Sequence, residues 1–364
     1  MTTPIVDFIT RFTERKAHRL HMPGHKGQII ADFPLSDIYK YDITEIKGAD
    51  FLLSAKGIIK ESQENASKIF GSKKTIFTTE GSTLAAKTMI SLQGSEKIIA
   101  DKNAHRSFSD ACTLLNKKVI WIPDTKPETV EKALKENPNA NIYITSPDYF
   151  GNIADIKTIA DITHSHGRIL MVDNAHGSYL KFIDGFYHPI DAGADLVCDS
   201  AHKTLPVLTG GAYLHINNEL FTESYKEIIK VFSSTSPSYL TLMSLDYANK
   251  FLSEPANIAR MNEVAKKIFQ IKNKYNITTD EPYKIAIKTL ESAAKLCEDE
   301  NIEPEYVSDT VLLFMFSGLS SDEDITSADR VLSKTKFAGE LQEKDKKDMQ
   351  RELLYETDLC DSQS

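Results

Sequence analysis

Seven short apolar runs, bounded by turn residues and alternating with helical stretches, constrain this chain more than any other feature of its sequence. They fall at 75–79, 97–100, 119–122, 141–146, 169–173, 196–199 and 211–215. Brief, near-continuous apolar runs of this kind read as strands buried on both faces of a mostly parallel sheet. The stretches between them carry helical marks. Residues 82–92 set Leu84, Ala85, Met89 and Leu92 on a partial stripe, 129–136 follows Pro127 at a first-turn position, and 153–167 ends at Gly167. Strand and helix alternating over this length predict an α/β layered domain.

After about residue 250 the texture changes to a long helix over 249–275, a strand at 283–289, a helix at 289–301 and a strand at 311–317. The expected organisation is therefore an N-terminal segment (1–50), a large α/β domain (51–248), a small α+β domain (249–338) and a charged tail (339–364) that forms a short helix at best or is disordered. A length of 364 residues suits two domains.

Composition excludes several classes of function. A formal charge of −9 argues against non-specific nucleic-acid binding, which rests on clustered positive charge. The longest apolar run, 311–316, falls far short of a spanning helix, and the first residues lack the basic-then-apolar order of a secretory signal. Cys112, Cys198, Cys297 and Cys360 lie far apart with no CxxC pair, so neither a disulfide framework nor a zinc knuckle is expected, and the compartment reads as a reducing cytoplasm. There is no GxGxxG, no GxxxxGK[ST] and no HExxH, and Ser82 lies in EGSTL rather than GxSxG.

Three segments carry chemistry. Gly81, Ser82 and Thr83 follow a strand and open a helix, where hydroxyls and backbone donors suit an anion such as a phosphate; alone they also read as an ordinary helix cap. Asp173 ends an apolar strand, with Ala175 and His176 just beyond it. Polar groups at the carboxyl end of a parallel strand face a ligand crevice, although such an Asp also caps turns. Ser200, His202 and Lys203 follow another strand, and a lysine there can serve as a Schiff-base nucleophile if desolvation or a nearby cation lowers its pKa, although alone it also reads as a solvated charge. Taken together, a phosphate cradle, a strand-end carboxylate and a strand-end lysine are the parts that pyridoxal 5'-phosphate needs. The carboxylate would keep the pyridine nitrogen protonated, and the lysine would form the aldimine.

With these segments in view, the chain resembles the Orn/Lys/Arg decarboxylase major-domain family, of the PLP-dependent transferase-like fold type I. The resemblance rests on HMPGHKG (21–27), GIIKESQ (57–63), the EGST turn, DKNAHRSF (101–108), DNAHG (173–177), SAHKTLPVLTGGAYLH (200–215) and SSTSPSY (233–239), and it runs from about residue 18 to 317. It implies a fold type I large domain with a mostly parallel seven-stranded sheet, plus a small C-terminal α+β domain. Residue by residue, Lys203 matches the aldimine lysine and His202 the histidine before it. Asp173 matches the partner of the pyridine nitrogen, Ala175 the residue packed on the ring, and His176 the residue beside its hydroxyl or the substrate. His105 matches the residue stacked on the other ring face. Ser82, Thr83 and Ser200 match phosphate ligands, while Ser234 and Thr235 match a loop that reaches the phosphate of a neighbouring subunit. A homodimer with shared sites is implied.

His21 and His25 have i, i+4 spacing, but Pro23-Gly24 between them forbids a regular helix, so a loop at the site mouth is expected and no metal. Glu80 precedes the phosphate turn, and its side chain is expected to point away from the anion. Longer members of the family carry an N-terminal wing and, beyond the strand at 311–317, a proline-rich substrate-facing loop; neither is expected here. The leading expectation is a PLP-dependent decarboxylase of lysine, arginine or ornithine. An aminotransferase or lyase with the same cofactor, and a non-catalytic regulator that keeps the fold, stand as alternatives.

Overall fold

The computed structural model describes residues 1–339 together with Leu341 and Asp345. It divides into two compact units, one made of residues 1–147 and 154–259, the other of 148–153 and the described residues from 260 onward. Among the described residues, no helix is long and apolar enough to cross a membrane.

In chain order the first unit contains α1 (Pro4–Glu14), α2 (Ile58–Phe70), β1 (Lys74–Thr78), α3 (Gly81–Leu92), β2 (Lys97–Asp101), α4 (Arg106–Leu114), β3 (Lys118–Ile122) and α5 (Pro127–Glu136). It continues with β4 (Asn141–Thr145), α6 (Ile156–Ser165), β5 (Leu170–Asp173), β6 (Leu196–Asp199), α7 (Ala201–Thr204), β7 (Ala212–Ile216), α8 (Tyr225–Phe232) and α9 (Tyr239–Ser253). All seven apolar runs are strands of one sheet, in the order β1-β7-β6-β5-β4-β2-β3. The pairings among β2, β3, β4, β5 and β6 are parallel, while β7 runs antiparallel to both β1 and β6.

The sheet is apolar on both faces because helices cover both. Ile98, Ala100, Tyr143 and Met171 point to the side packed by Met89, Phe108 and Ile229 of α3, α4 and α8. Ile99, Ile142, Ile144, Leu170 and Val172 point to the opposite side, packed by Val130 of α5 and Ile159 of α6. This alternation is the period-2 geometry of a strand, and burial on both faces explains why the runs read as continuous rather than alternating.

The second unit holds most of α10 (Pro255–Tyr275), then β8 (Lys284–Thr289), α11 (Ala294–Asp299), β9 (Tyr306–Val307), β10 (Val311–Met315), α12 (Asp322–Lys334) and β11 (Phe337–Gly339). Its sheet has the order β11-β8-β10-β9, with all pairings antiparallel. The division expected at residue 249 falls instead between 259 and 260, within α10.

Two expected elements differ. The helix expected over 249–275 is two helices, because Glu254 is extended (φ −93, ψ 116) ahead of Pro255. A residue before proline is pushed out of the helical region, and the proline then starts the next helix. The helix expected over 289–301 shrinks to α11: Thr289 still belongs to β8, and the Leu290 amide donates to the Lys336 carbonyl (2.9 Å) leading into β11. Of the tail expected from 339, only Gly339, Leu341 and Asp345 lie within the described residues.

Asp246 on α9 anchors the start of α1. One of its carboxylate oxygens accepts the Ile5 and Val6 amides (2.9 and 3.0 Å), and the other accepts the Ser62 hydroxyl (2.5 Å). Burial pushes this carboxyl up to about 6, against the pull of those hydrogen bonds. The folded form thus binds the proton more tightly than the unfolded chain, whose carboxyl titrates near 3.8. Between these values stability from this group falls as pH rises, and a penalty on the order of 2–3 kcal/mol persists above the folded value. Asp246→Asn keeps an acceptor for the α1 amides. Urea denaturation should show the variant losing relative stability to the parent as pH drops from 7 to 4; an unchanged difference across that range would contradict the assignment.

Candidate active site

In a parallel sheet the carboxyl ends of neighbouring strands share one edge, where loops carry polar groups into a crevice. Three segments meet that description. After β1 the chain turns at Gly81, whose φ of 73° suits glycine, and a Cβ there would meet nothing within 4 Å, so the turn faces open space. The Gly81 amide donates to the Gly210 carbonyl (2.7 Å), and the Thr78 hydroxyl donates to the Gly81 carbonyl (3.0 Å). Ser82 and Thr83 occupy the first turn of α3. The Ser200 hydroxyl, at the end of β6, donates to the Ser82 hydroxyl (2.7 Å), so the hydroxyls expected to serve one anion adjoin each other.

Asp173 ends β5 and is 4% exposed. The Tyr143 hydroxyl donates to one carboxylate oxygen (3.0 Å), while the Ala175 amide (3.2 Å) and the Cys198 thiol (3.5 Å) face the other. Burial, reinforced by the Asp173 charge, pushes both the Tyr143 phenol and the Cys198 thiol well above their usual range, so both remain protonated donors. Sequence reasoning missed these two. The signal available for Tyr143 was a hydroxyl inside an otherwise aliphatic run, on the strand beside Asp173.

Lys203 sits on α7, a single turn held by its amide to the Ser200 carbonyl (3.0 Å). Its Nζ lies 3.0 Å from His176 Nε2. The His202 amide and its Nδ1 both point at the Gly211 carbonyl (each 3.1 Å), which places the ring proton on Nδ1. Burial depresses His202, the Gly211 bond opposes this, and the Lys203 charge adds to the depression. His105 caps α4, its Nδ1 accepting the Ser107 amide (3.1 Å). Burial depresses it too, and it senses the charges of Asp173 and Lys203, which brings it into the same electrostatic neighbourhood.

Ser234 and Thr235 lie between α8 and α9 and are exposed. The Ser234 amide donates to the Glu80 carboxylate (2.8 Å), so Glu80, just before the Gly81 turn, ties this loop down within the same chain. His25 stacks on Tyr39 (4.2 Å between rings) and faces Asp42 (3.1 Å), while His21 Nδ1 faces the Met22 carbonyl (2.5 Å).

A doubly covered α/β sheet whose strand ends carry hydroxyls, a carboxylate and a lysine defines the class as a fold type I large domain. Residues 3–299 match the family Orn/Lys/Arg decarboxylase, major domain, and the chain belongs to that family. Among its relatives, an arginine decarboxylase of Bacillus subtilis is 30% identical over 97% of this chain and 80% of its own length. An arginine decarboxylase of Halalkalibacterium halodurans is 34% identical over 69% of this chain and 55% of its own. The lysine decarboxylase of Francisella novicida superposes with a TM-score of 0.79 at 19% identity, covering 91% of this chain and 59% of that one. A serine palmitoyltransferase with PLP superposes at 0.62 and 15% identity, over 75% of this chain and 74% of its own. The fold is thus that of PLP-dependent enzymes, and the chain spans 55% and 59% of two of these relatives.

Gly210 makes the joint between β7 and the Gly81 turn testable. Its φ is +91°, and a Cβ there would lie 2.9 Å from the Thr79 carbonyl oxygen. Gly210→Ala combines backbone strain with a backbone clash and should cost about 1–3 kcal/mol. A urea midpoint equal to that of the parent would refute the close approach.

Proposed function

We propose that this chain is a decarboxylase of a basic amino acid, dependent on pyridoxal 5'-phosphate, that releases carbon dioxide and the corresponding polyamine-type amine. The observation that carries this reading is the meeting, within one unit, of the Ser82–Ser200 hydroxyl pair, the buried Asp173 carboxylate and the Lys203 amine beside His176. The residues fit the cofactor on grounds of chemistry. Open space at Gly81, with hydroxyls and the amino end of the twelve-residue α3 beside it, suits a phosphate. A buried carboxylate suits a protonated ring nitrogen.

In this reading Gly81, Ser82, Thr83 and Ser200 hold the phosphate, Asp173 holds the ring nitrogen, and Ala175 and His105 flank the ring. Lys203 Nζ would be the amine that holds the cofactor at its aldehyde group, with water as the leaving molecule. When bound, the cofactor supplies the electron sink for the pair left behind as carbon dioxide departs. The chain's own groups manage protons. His176 Nε2, 3.0 Å from Lys203 Nζ, can exchange a proton with the amine. His202, its Nδ1 proton engaged by Gly211, presents Nε2 as an acceptor. The names of the relatives favour arginine as the first substrate to test, ahead of lysine and ornithine. The exposed hydroxyls of Ser234 and Thr235 favour a homodimer in which that loop completes the neighbour's phosphate site. A cytoplasmic setting suits three buried free thiols.

The test is uptake of pyridoxal phosphate, borohydride reduction and peptide mapping, together with carbon dioxide release from arginine, lysine and ornithine. The reading expects the label on Lys203 and turnover of one basic amino acid. A label elsewhere, or cofactor uptake without carbon dioxide release from any of the three, would overturn the decarboxylase assignment. Asp173→Asn should still take up cofactor and stay yellow, yet lose turnover by several orders of magnitude; near-parental turnover would remove Asp173 from its role.

A further inference from the structure

Behind the strand ends lies a second ionisable cluster that none of the roles above uses. His188, Asp199 and His215 are each fully buried, and their ligand-type atoms lie within 4.8 Å of one another. His188 Nε2 and His215 Nε2 both approach one Asp199 oxygen (3.0 and 3.2 Å), and Asn174 Nδ2 donates to the other (2.7 Å). Two imidazoles and a carboxylate are a familiar donor set for a metal, so the protons decide what this cluster is.

His188 Nδ1 accepts the backbone amide of Ile190 (3.2 Å). An imidazole that accepts at Nδ1 carries its proton at Nε2, so His188 is a neutral donor to Asp199. Metal ligation through Nε2 would move that proton to Nδ1, directly against the Ile190 N–H. His215 is less constrained: its Nδ1 faces the Thr75 hydroxyl (2.8 Å), which can donate or accept, and that hydroxyl is within 2.7 Å of Ser72 Oγ. Burial depresses His215, opposed by Asp199. Burial alone would raise Asp199, but the two imidazoles overrule it and hold the carboxyl below its usual range. The cluster is therefore a carboxylate held by three side-chain donors rather than a metal centre.

Its position gives it a task. Asp199 is the last residue of β6, directly before Ser200 and the turn carrying Lys203. Asn174 follows Asp173, and its backbone amide also donates to the Cys198 carbonyl (2.9 Å). Asn174 thus fastens the end of β5 to the end of β6 twice, once through backbone and once through Asp199. We infer that His188, Asp199, His215 and Asn174 are positioning residues that lock the strand end bearing Lys203 against the strand end bearing Asp173. The inference rests on the proposed function for what those two residues do.

Two measurements test it. The first needs no cofactor: ¹⁵N NMR of the full chain with labelled histidine should show one imidazole, lost in His188→Gln, protonated at Nε2 and unprotonated at Nδ1 and unaffected by added zinc. Protonation at Nδ1, or a zinc-induced shift at that ring, overturns the hydrogen-bonded frame. The second compares His188→Leu with His188→Gln, whose amide can still donate to Asp199. Displacing catalytic groups from a distance costs about a hundredfold in rate. His188→Leu is therefore expected to lose kcat on that scale, with little change in KM and a shifted pH dependence of the cofactor absorption band, while His188→Gln recovers most of both. Should Leu fail to fold, His188→Gln against Asn174→Ala supplies the same contrast. Parental kcat and spectrum in every donor-deleting variant would overturn the positioning role alone. Failure of the unaltered chain to take up pyridoxal phosphate would overturn the functional reading and, with it, the task assigned to the frame.

Discussion

A parallel sheet sends the carboxyl ends of its strands to one edge, and there the backbone ladder stops with amides still to be satisfied. In this protein Asp101 and Asp173 answer that need. Asp101, Asp173 and Asp199 end β2, β5 and β6, and all three are buried. Asp101 accepts the Thr145 and Asn103 amides (each 2.9 Å), and Asp173 accepts that of Ala175. Carboxylates placed to close a sheet edge are also fixed charges in a crevice with little access to water, where an ion is costly unless it is hydrogen-bonded. The candidate site grows from that constraint.

The two aspartates on adjacent strands are treated differently. Asp199 is enclosed by an amide and two imidazoles, which suits a charge that holds structure. Asp173 receives a phenol, a thiol and a backbone amide, neutral donors that stay protonated because burial raises Tyr143 and Cys198. The same frame fixes the lysine: Ser200 reaches sideways to Ser82, and the His202 amide reaches to Gly211, so the α7 turn is pinned on both sides.

Much of this was legible in the sequence. Strands buried on both faces leave unbroken apolar runs, which is why all seven could be placed to within a residue or two, and why the polar groups just past three of them stood out. What escaped depends on context that local pattern does not carry. The division of α9 from α10 is the exception, because Pro255 is itself a local signal that pushes Glu254 out of the helical region. Thr289 was read as both the end of a strand and the start of a helix, and Leu290 as helical, but Thr289 pairs with Phe337 far along the chain and the Leu290 amide donates to the Lys336 carbonyl. Tyr143 and His188 are single residues whose meaning comes from a neighbour on another strand or loop. Glu80 was expected only to avoid an anion; its hydrogen bond to Ser234, 154 positions away, has no local signature.

We propose that the Gly81 turn, Asp173 and Lys203 form one cradle for one cofactor. A crystal structure of the full chain grown with pyridoxal phosphate tests this. Continuous density is expected from Lys203 Nζ to a ring whose nitrogen faces Asp173 and whose phosphate lies against Ser82, Thr83 and Ser200. Density at another lysine, or a phosphate seated away from the α3 turn, would contradict it.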